Sequence, residues 1–234
     1  MKTLGIIGGM GPMASCDLLE KIILNTDAKC DQEHIHVVLD SNTAISDRTA
    51  AILYGGKDPT EELCKSAARL YNAGAEVLVM SCNTAHYFYD AVAASVPIPV
   101  LHMPRLTAEY IARSGFEKAA LLATDGTIRS GVYQKALAPL TPLTPDGEDQ
   151  AAIMSLIYDG VKKGDAGFDC SAVLRTLEHL TKAGAEAFIL GCTELPIAFS
   201  QFHLPGRAID PTLVLARAAI TACGAPLKPE KEQE

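Results

Sequence analysis

Two cysteines, Cys82 in MSCNTAH and Cys192 in GCTE, stand at the same point of a repeated pattern. Residues 73–84 read AGAEVLVMSCNT and residues 183–194 read AGAEAFILGCTE, an offset of 110 positions that both cysteines keep. A thiolate accepts a proton and a thiol donates one. Two such groups on opposite faces of one carbon can take a proton from one side and return it to the other, which inverts a stereocentre. One must be thiolate and the other thiol before each turnover, so they titrate as a coupled pair. The carbanion formed in between needs its carboxylate held by oriented donors. Asn83 and Thr84 follow the first cysteine, and Thr193 and Glu194 follow the second. Either cysteine alone reads equally well as a small buried core residue; the matched pair argues for function.

A carboxylate ligand also needs cations. Arg48, in SDRTA, sits on a loop expected at the same sheet edge, and a guanidinium can grip a carboxylate with two hydrogen bonds. Lys162 and Lys163, in YDGVKKG, compete for a similar role, and all three also read as solvated charges. His86 lies four residues after Cys82, on the same helical face or as a hydrogen-bonded structural ring. His34 and His36 have the look of a metal-binding strand but no evident third ligand. Gly9, Gly11 and Ala14 fit the dinucleotide spacing G-x-G-x-x-A, with Asp40 ending the next strand. Pro12, however, removes an amide donor from the turn, and Asp40 comes late. The better reading is a glycine floor that lets a small ligand approach backbone N–H groups.

The chain has 234 residues, with 20 Lys+Arg against 28 Asp+Glu and a formal net charge of −8. That balance argues against a nucleic-acid or anionic membrane partner. No apolar run approaches the roughly 20 residues needed to span a bilayer, and MKTLGIIGGMGP meets a glycine turn too early for a signal peptide. A cytoplasmic location is the expectation. Seven cysteines without a CxxC pair suggest reduced thiols, most of them packing residues.

Strands are predicted at Leu4–Ile7, Val37–Leu39, Val77–Met80, Ile98–Leu101, Ala119–Ala123 and Phe188–Leu190. Between them Leu63, Ala67, Leu70 and Tyr71 share one helical face, as do Val173, Leu174, Leu177 and Leu180. The fold class is therefore α/β: two pseudo-symmetric open parallel-sheet domains with the active site in the cleft between them. The first half is placed at residues 1–101, completed by a returning C-terminal helix within 208–226. The second occupies 102–207, and 227–234 reads as a disordered tail.

Together GIIGGMGP at 5–12, DQEH at 31–34, DRTA at 47–50, CNTAH at 82–86, LLATDGT at 121–127, SGVY at 130–133 and GCTE at 191–194 resemble the aspartate/glutamate racemase family, and within it the PLP-independent aspartate racemases. The resemblance implies a homodimeric enzyme that racemises a small acidic amino acid, most simply aspartate, without PLP or metal. It implies that Cys82 and Cys192 are the acid/base thiols. Asn83, Thr84 and Thr193 become carboxylate binders, Met10 lies near the site, and Thr124 and Thr127 line its second-half side. Arg48 and Lys162 match positions associated with the side-chain carboxylate. Glutamate or broad-specificity racemisation, and a non-catalytic small-anion binding protein, are the alternatives.

Overall fold

The computed structural model describes residues 1–229. Among them, six short strands form two parallel sheets. In the first, β1 (Leu4–Gly8) lies between β2 (Val37–Ser41) and β3 (Val77–Met80). In the second, β5 (Ala187–Leu190) lies between β4 (Ala119–Leu122) and β6 (Ala208–Ile209). A bridge from Val100 to Leu78 extends the first sheet beyond β3, and one from Leu143 to Ala120 extends the second beyond β4. Both halves thus have the same four-place order, with β1 equivalent to β4 and β3 to β5.

Alternation along each strand sends side chains to two helical layers. Leu4, Ile6, Val77 and Val79 pack with Leu18 and Ile22 of helix Pro12–Asn25 and with Leu215, Ala216, Ala219 and Ile220 of helix Pro211–Ala222. On the other face, Ile7, Leu78 and Met80 meet Leu63, Ala67 and Leu70 of helix Thr60–Asn72. The second half repeats this: Phe188 and Leu190 pack on Val173, Leu177 and Leu180 of helix Ser171–Lys182, while Ala187 and Ile189 face Ile111 and Tyr133. Helix Met103–Ser114 spans both cores, with Met103 in the first and Ile111 in the second.

The sequence repeat has a structural meaning. Gly74 (φ +92°) and Gly184 (φ +100°) take the left-handed turn after the two equivalent helices. Two residues on, Glu76 accepts from the N–H of Thr3, and Glu186 accepts from those of Glu117 and Lys118. Each glutamate satisfies backbone donors just before the neighbouring strand.

Several expectations differ from what the fold shows. Tyr71 and Leu174 are 42% and 45% exposed, because the buried stripe of each helix is narrower than its apolar composition. The segment Ile98–Leu101 is not a strand but touches β3 through one bridge at Val100. Residues 208 and 209, expected to begin the returning helix, pair with β5 instead, and the helix starts at Pro211. Residues 227 and 228, expected in a disordered tail, are held in place: Leu227 bridges to Thr26, and the N–H of Lys228 donates to the carbonyl of Asn25. Residues 230–234 of that tail lie outside the described residues.

Candidate active site

Parallel strands of an open α/β sheet end at one edge, and the loops beyond that edge form the site. Met10 follows β1, Cys82 follows β3, Thr124 follows β4 and Cys192 follows β5. These loops meet in one narrow pocket. The first half contributes Met10, Asp47, Arg48, Thr49, Cys82, Asn83 and Thr84. Facing them are Thr124, Tyr158, Lys162, Cys192, Thr193 and Glu194 of the second half. The fold therefore brings both repeat cysteines, buried and unoxidised, to one cavity from opposite halves.

Arg48 opens helix Arg48–Tyr54, where the Asp47 side chain caps the N-terminus by accepting from the N–H of Ala50. Its guanidinium is 8% exposed and anchored on backbone carbonyls: Nη2 donates to Met10 at 2.9 Å and Nη1 to Ser46 at 3.0 Å. Nε is buried without a partner. Burial opposes the charge, but Cys82, Asp47 and Glu194 outweigh it and hold the pKa above its ordinary value. Lys162, at the end of the π-helical turn Leu156–Lys162, lies 3.7 Å from Glu194 and over the Tyr158 ring. Its pKa is also raised, burial being outweighed first by Glu194 and then by Cys192. Lys163 points away and pairs with Asp159 at the surface, so the fold selects between the two lysines. A π-turn changes the angular step of the helix and so re-aims its last side chain.

Cys192 Sγ donates to Glu194 Oε2 at 2.9 Å. Burial, and then the Glu194 charge, push this thiol well above its usual range, while Lys162 acts the other way. Glu194 is 4% exposed, and its Oε1 lies 2.9 Å from where a Cβ on Gly11 would fall. A carboxylate thus occupies the space above the glycine turn where a pyrophosphate would have to approach, and Asp40 is taken by Arg69. The dinucleotide spacing has no dinucleotide geometry.

After Cys82 the chain enters a 3₁₀ turn, Thr84–Phe88, with no side-chain cap. Thr127, expected on the second-half wall, does not line the pocket; it is fully buried behind it, bonded across the halves to Thr84 at 2.7 Å and within its own half to Thr124 at 3.2 Å. Of the two readings of His86 the fold shows the hydrogen-bonded structural ring: Nε2 accepts from the N–H of Met103, so Nδ1 donates to the Cys82 carbonyl, and the side chain does not line the pocket. Among the described residues no group of three His, Cys, Asp or Glu side chains forms a metal-binding cluster, His34 and His36 included. Asp47, Thr49 and Tyr158 are pocket residues that sequence reasoning missed. The first two flank Arg48 in DRTA, and Tyr158 precedes Lys162 by one helical turn.

Two matched α/β halves each send one cysteine into a shared pocket, so the site lies in a cleft between them. Residues 7–219 match the Asp/Glu/Hydantoin racemase family, and the chain belongs to that family as an amino-acid racemase. Its fold is similar to that of an aspartate racemase from Picrophilus torridus, with a TM-score of 0.87, 31% identity, and coverage of 97% of this chain and 96% of that one. The broad-specificity amino-acid racemase RacX of Bacillus subtilis is 22% identical over 93% of this chain and 96% of its own length. A glutamate racemase of Sulfurihydrogenibium is 29% identical, but over 64% of this chain and only 59% of that protein.

Proposed function

We propose that this enzyme interconverts L- and D-aspartate without PLP, Cys82 and Cys192 exchanging the roles of base and acid. The observation that carries the reading is the meeting of these two thiols, one from each half, in a pocket that also holds Arg48 and Lys162. A thiolate removes the α-proton from one face; the electron pair stays on the α-carbon and its carboxylate; the opposite thiol delivers its own proton to the other face. The reaction inverts the centre and leaves the pair of thiols with exchanged protonation.

In this reading Asn83, Thr84 and Thr193 hold the α-carboxylate, where charge develops during proton transfer. Arg48 and Lys162 hold the side-chain carboxylate, and Glu194 offers the α-ammonium an anionic partner. Thr124 and Met10 shape the walls, and Thr127 supports Thr84 and Thr124 from behind. Aspartate is favoured over glutamate by the likeness to the Picrophilus enzyme over nearly the whole chain. A cytoplasmic homodimer is the accompanying expectation.

The test is incubation with L-aspartate in D₂O without added PLP, following loss of the α-proton by NMR and appearance of D-aspartate by chiral chromatography. Both should occur, and Cys82→Ser and Cys192→Ser should each lower the rate by roughly 10²–10⁴-fold. Exchange that is faster with glutamate or with neutral amino acids would move the assignment to another racemase specificity. No exchange with any amino acid would overturn it.

A further inference from the structure

We propose that Tyr133 is a positioning residue of the substrate site: reaching across from the second half, its hydroxyl orients the Asn83 amide so that the NH₂ group faces the bound α-carboxylate. The inference rests on the racemase reading above, because it assigns Asn83 a carboxylate to meet.

Tyr133 lies on helix Val132–Leu137 and is fully buried in the second core. Its O–H donates to Asn83 Oδ1 at 2.6 Å, a bond between the two halves of the molecule. Burial raises the phenol pKa, which keeps the hydroxyl a donor. An amide carries its acceptor and its donors on opposite sides of one carbon. With Oδ1 committed to Tyr133, Nδ2 must point the other way. Asn83 is 1% exposed and lines the pocket, and its Nδ2 is buried without a partner. Arg48 Nε, in the same cavity, is likewise unpartnered. Both donors await an acceptor that the protein does not supply.

Without the phenol hydroxyl, Oδ1 loses its partner and the amide is free to rotate, turning its oxygen towards the place of an anionic ligand. One neutral hydrogen bond of this kind corresponds to roughly a tenfold change in affinity. Because Tyr133 and Asn83 act as a unit, their losses should not add.

The test compares wild type, Tyr133→Phe, Asn83→Ala and the double variant. Tyr133→Phe is expected to raise the KM for L-aspartate about tenfold while kcat changes far less, and the double variant should bind no worse than Asn83→Ala. A loss that adds fully in the Asn83→Ala background would overturn the inference, since it would mean Tyr133 acts through packing alone. Asn83→Asp, which leaves the core around Tyr133 intact, keeps the acceptor for Tyr133 but presents an oxygen to the pocket. It should bind L-aspartate more weakly than Asn83→Ala; equal or tighter binding would overturn the inference. The side-chain amide signals of Asn83, assigned by their absence in Asn83→Ala, provide a readout independent of turnover. They should shift on addition of L-aspartate in wild type and respond less in Tyr133→Phe. A wild type that binds aspartate, shifts these signals but exchanges no α-proton contradicts the racemase reading and supports the amide assignment. Signals that do not move while racemisation proceeds do the reverse.

Discussion

Cys82 and Cys192 are equivalent in the repeat but not in their surroundings. Cys82 is a neighbour of Arg48, whereas Cys192 donates a hydrogen bond to a buried carboxylate 2.9 Å away. Burial and Glu194 both favour the neutral thiol at Cys192. A raised pKa means the proton is retained to a higher pH than an ordinary thiol would retain it, near 8.5. Removing the Glu194 charge should lower that pKa and move ionisation towards neutrality. Glu194→Gln is therefore expected to speed alkylation of Cys192 by iodoacetamide at pH 8 by about tenfold, the change that one pKa unit produces well below the midpoint. Peptide mass spectrometry would follow the rate at each cysteine, and an unchanged rate at Cys192 would show that Glu194 does not control this proton. The thiol pair was legible in the sequence from its spacing alone. The Glu194 contact was not, since a residue two positions from a cysteine can point to either side of the chain.

At the scale of elements, the segment holding Cys82 is tied to the helix that links the halves. His86 bonds the Cys82 carbonyl through one ring nitrogen and the N–H of Met103, the first residue of helix Met103–Ser114, through the other. A ring that both donates and accepts must be neutral. Burial, reinforced by the neighbouring His102, pushes its pKa down to about 3. As pH falls below about 6.5 the unfolded chain takes up this proton and the folded one does not, so stability is lost progressively down to about 3. One such proton contributes a slope of up to about 1.4 kcal/mol per pH unit. His86→Gln should be less stable at pH 7 but lose less stability on acidification, as read by urea unfolding at pH 4 to 7. Equal slopes would assign the acid sensitivity elsewhere. Strands with apolar runs of four or more were readable, and β3 has the expected ends. The two-residue β6 and the single bridge at Leu143 were not, because pairing so short leaves no periodic pattern, and the strand expected at Ile98–Leu101 is reduced to the one bridge at Val100.

Across the whole molecule, strand β1 and helix Pro211–Ala222, far apart in sequence, share one core. Leu215, Ala216, Ala219 and Ile220 of the last helix are completely buried against Leu4 and Ile6 of the first strand and their neighbours. Burial of a large apolar side chain is worth about 1.5–3 kcal/mol, and the whole stability of a domain is only about 5–15 kcal/mol. A chain ending at Asp210 should therefore lose cooperative unfolding of its first half, seen as loss of amide protection in β1 and β3 by hydrogen exchange. Retained protection there would mean that the returning helix is dispensable.

The sequence by itself determined the α/β alternation, the doubled grammar of helix, glycine, strand and cysteine, and the residue types able to move a proton. These are legible because strand and helix periods and turn residues are local properties of the chain. Only the tertiary structure decided that Thr127 stands behind the wall, and that Tyr133 commits the Asn83 oxygen and leaves its NH₂ free. Each of those outcomes depends on contacts between segments far apart in sequence, made when two halves close on a shared cavity, and no local period records which partner a polar group will find.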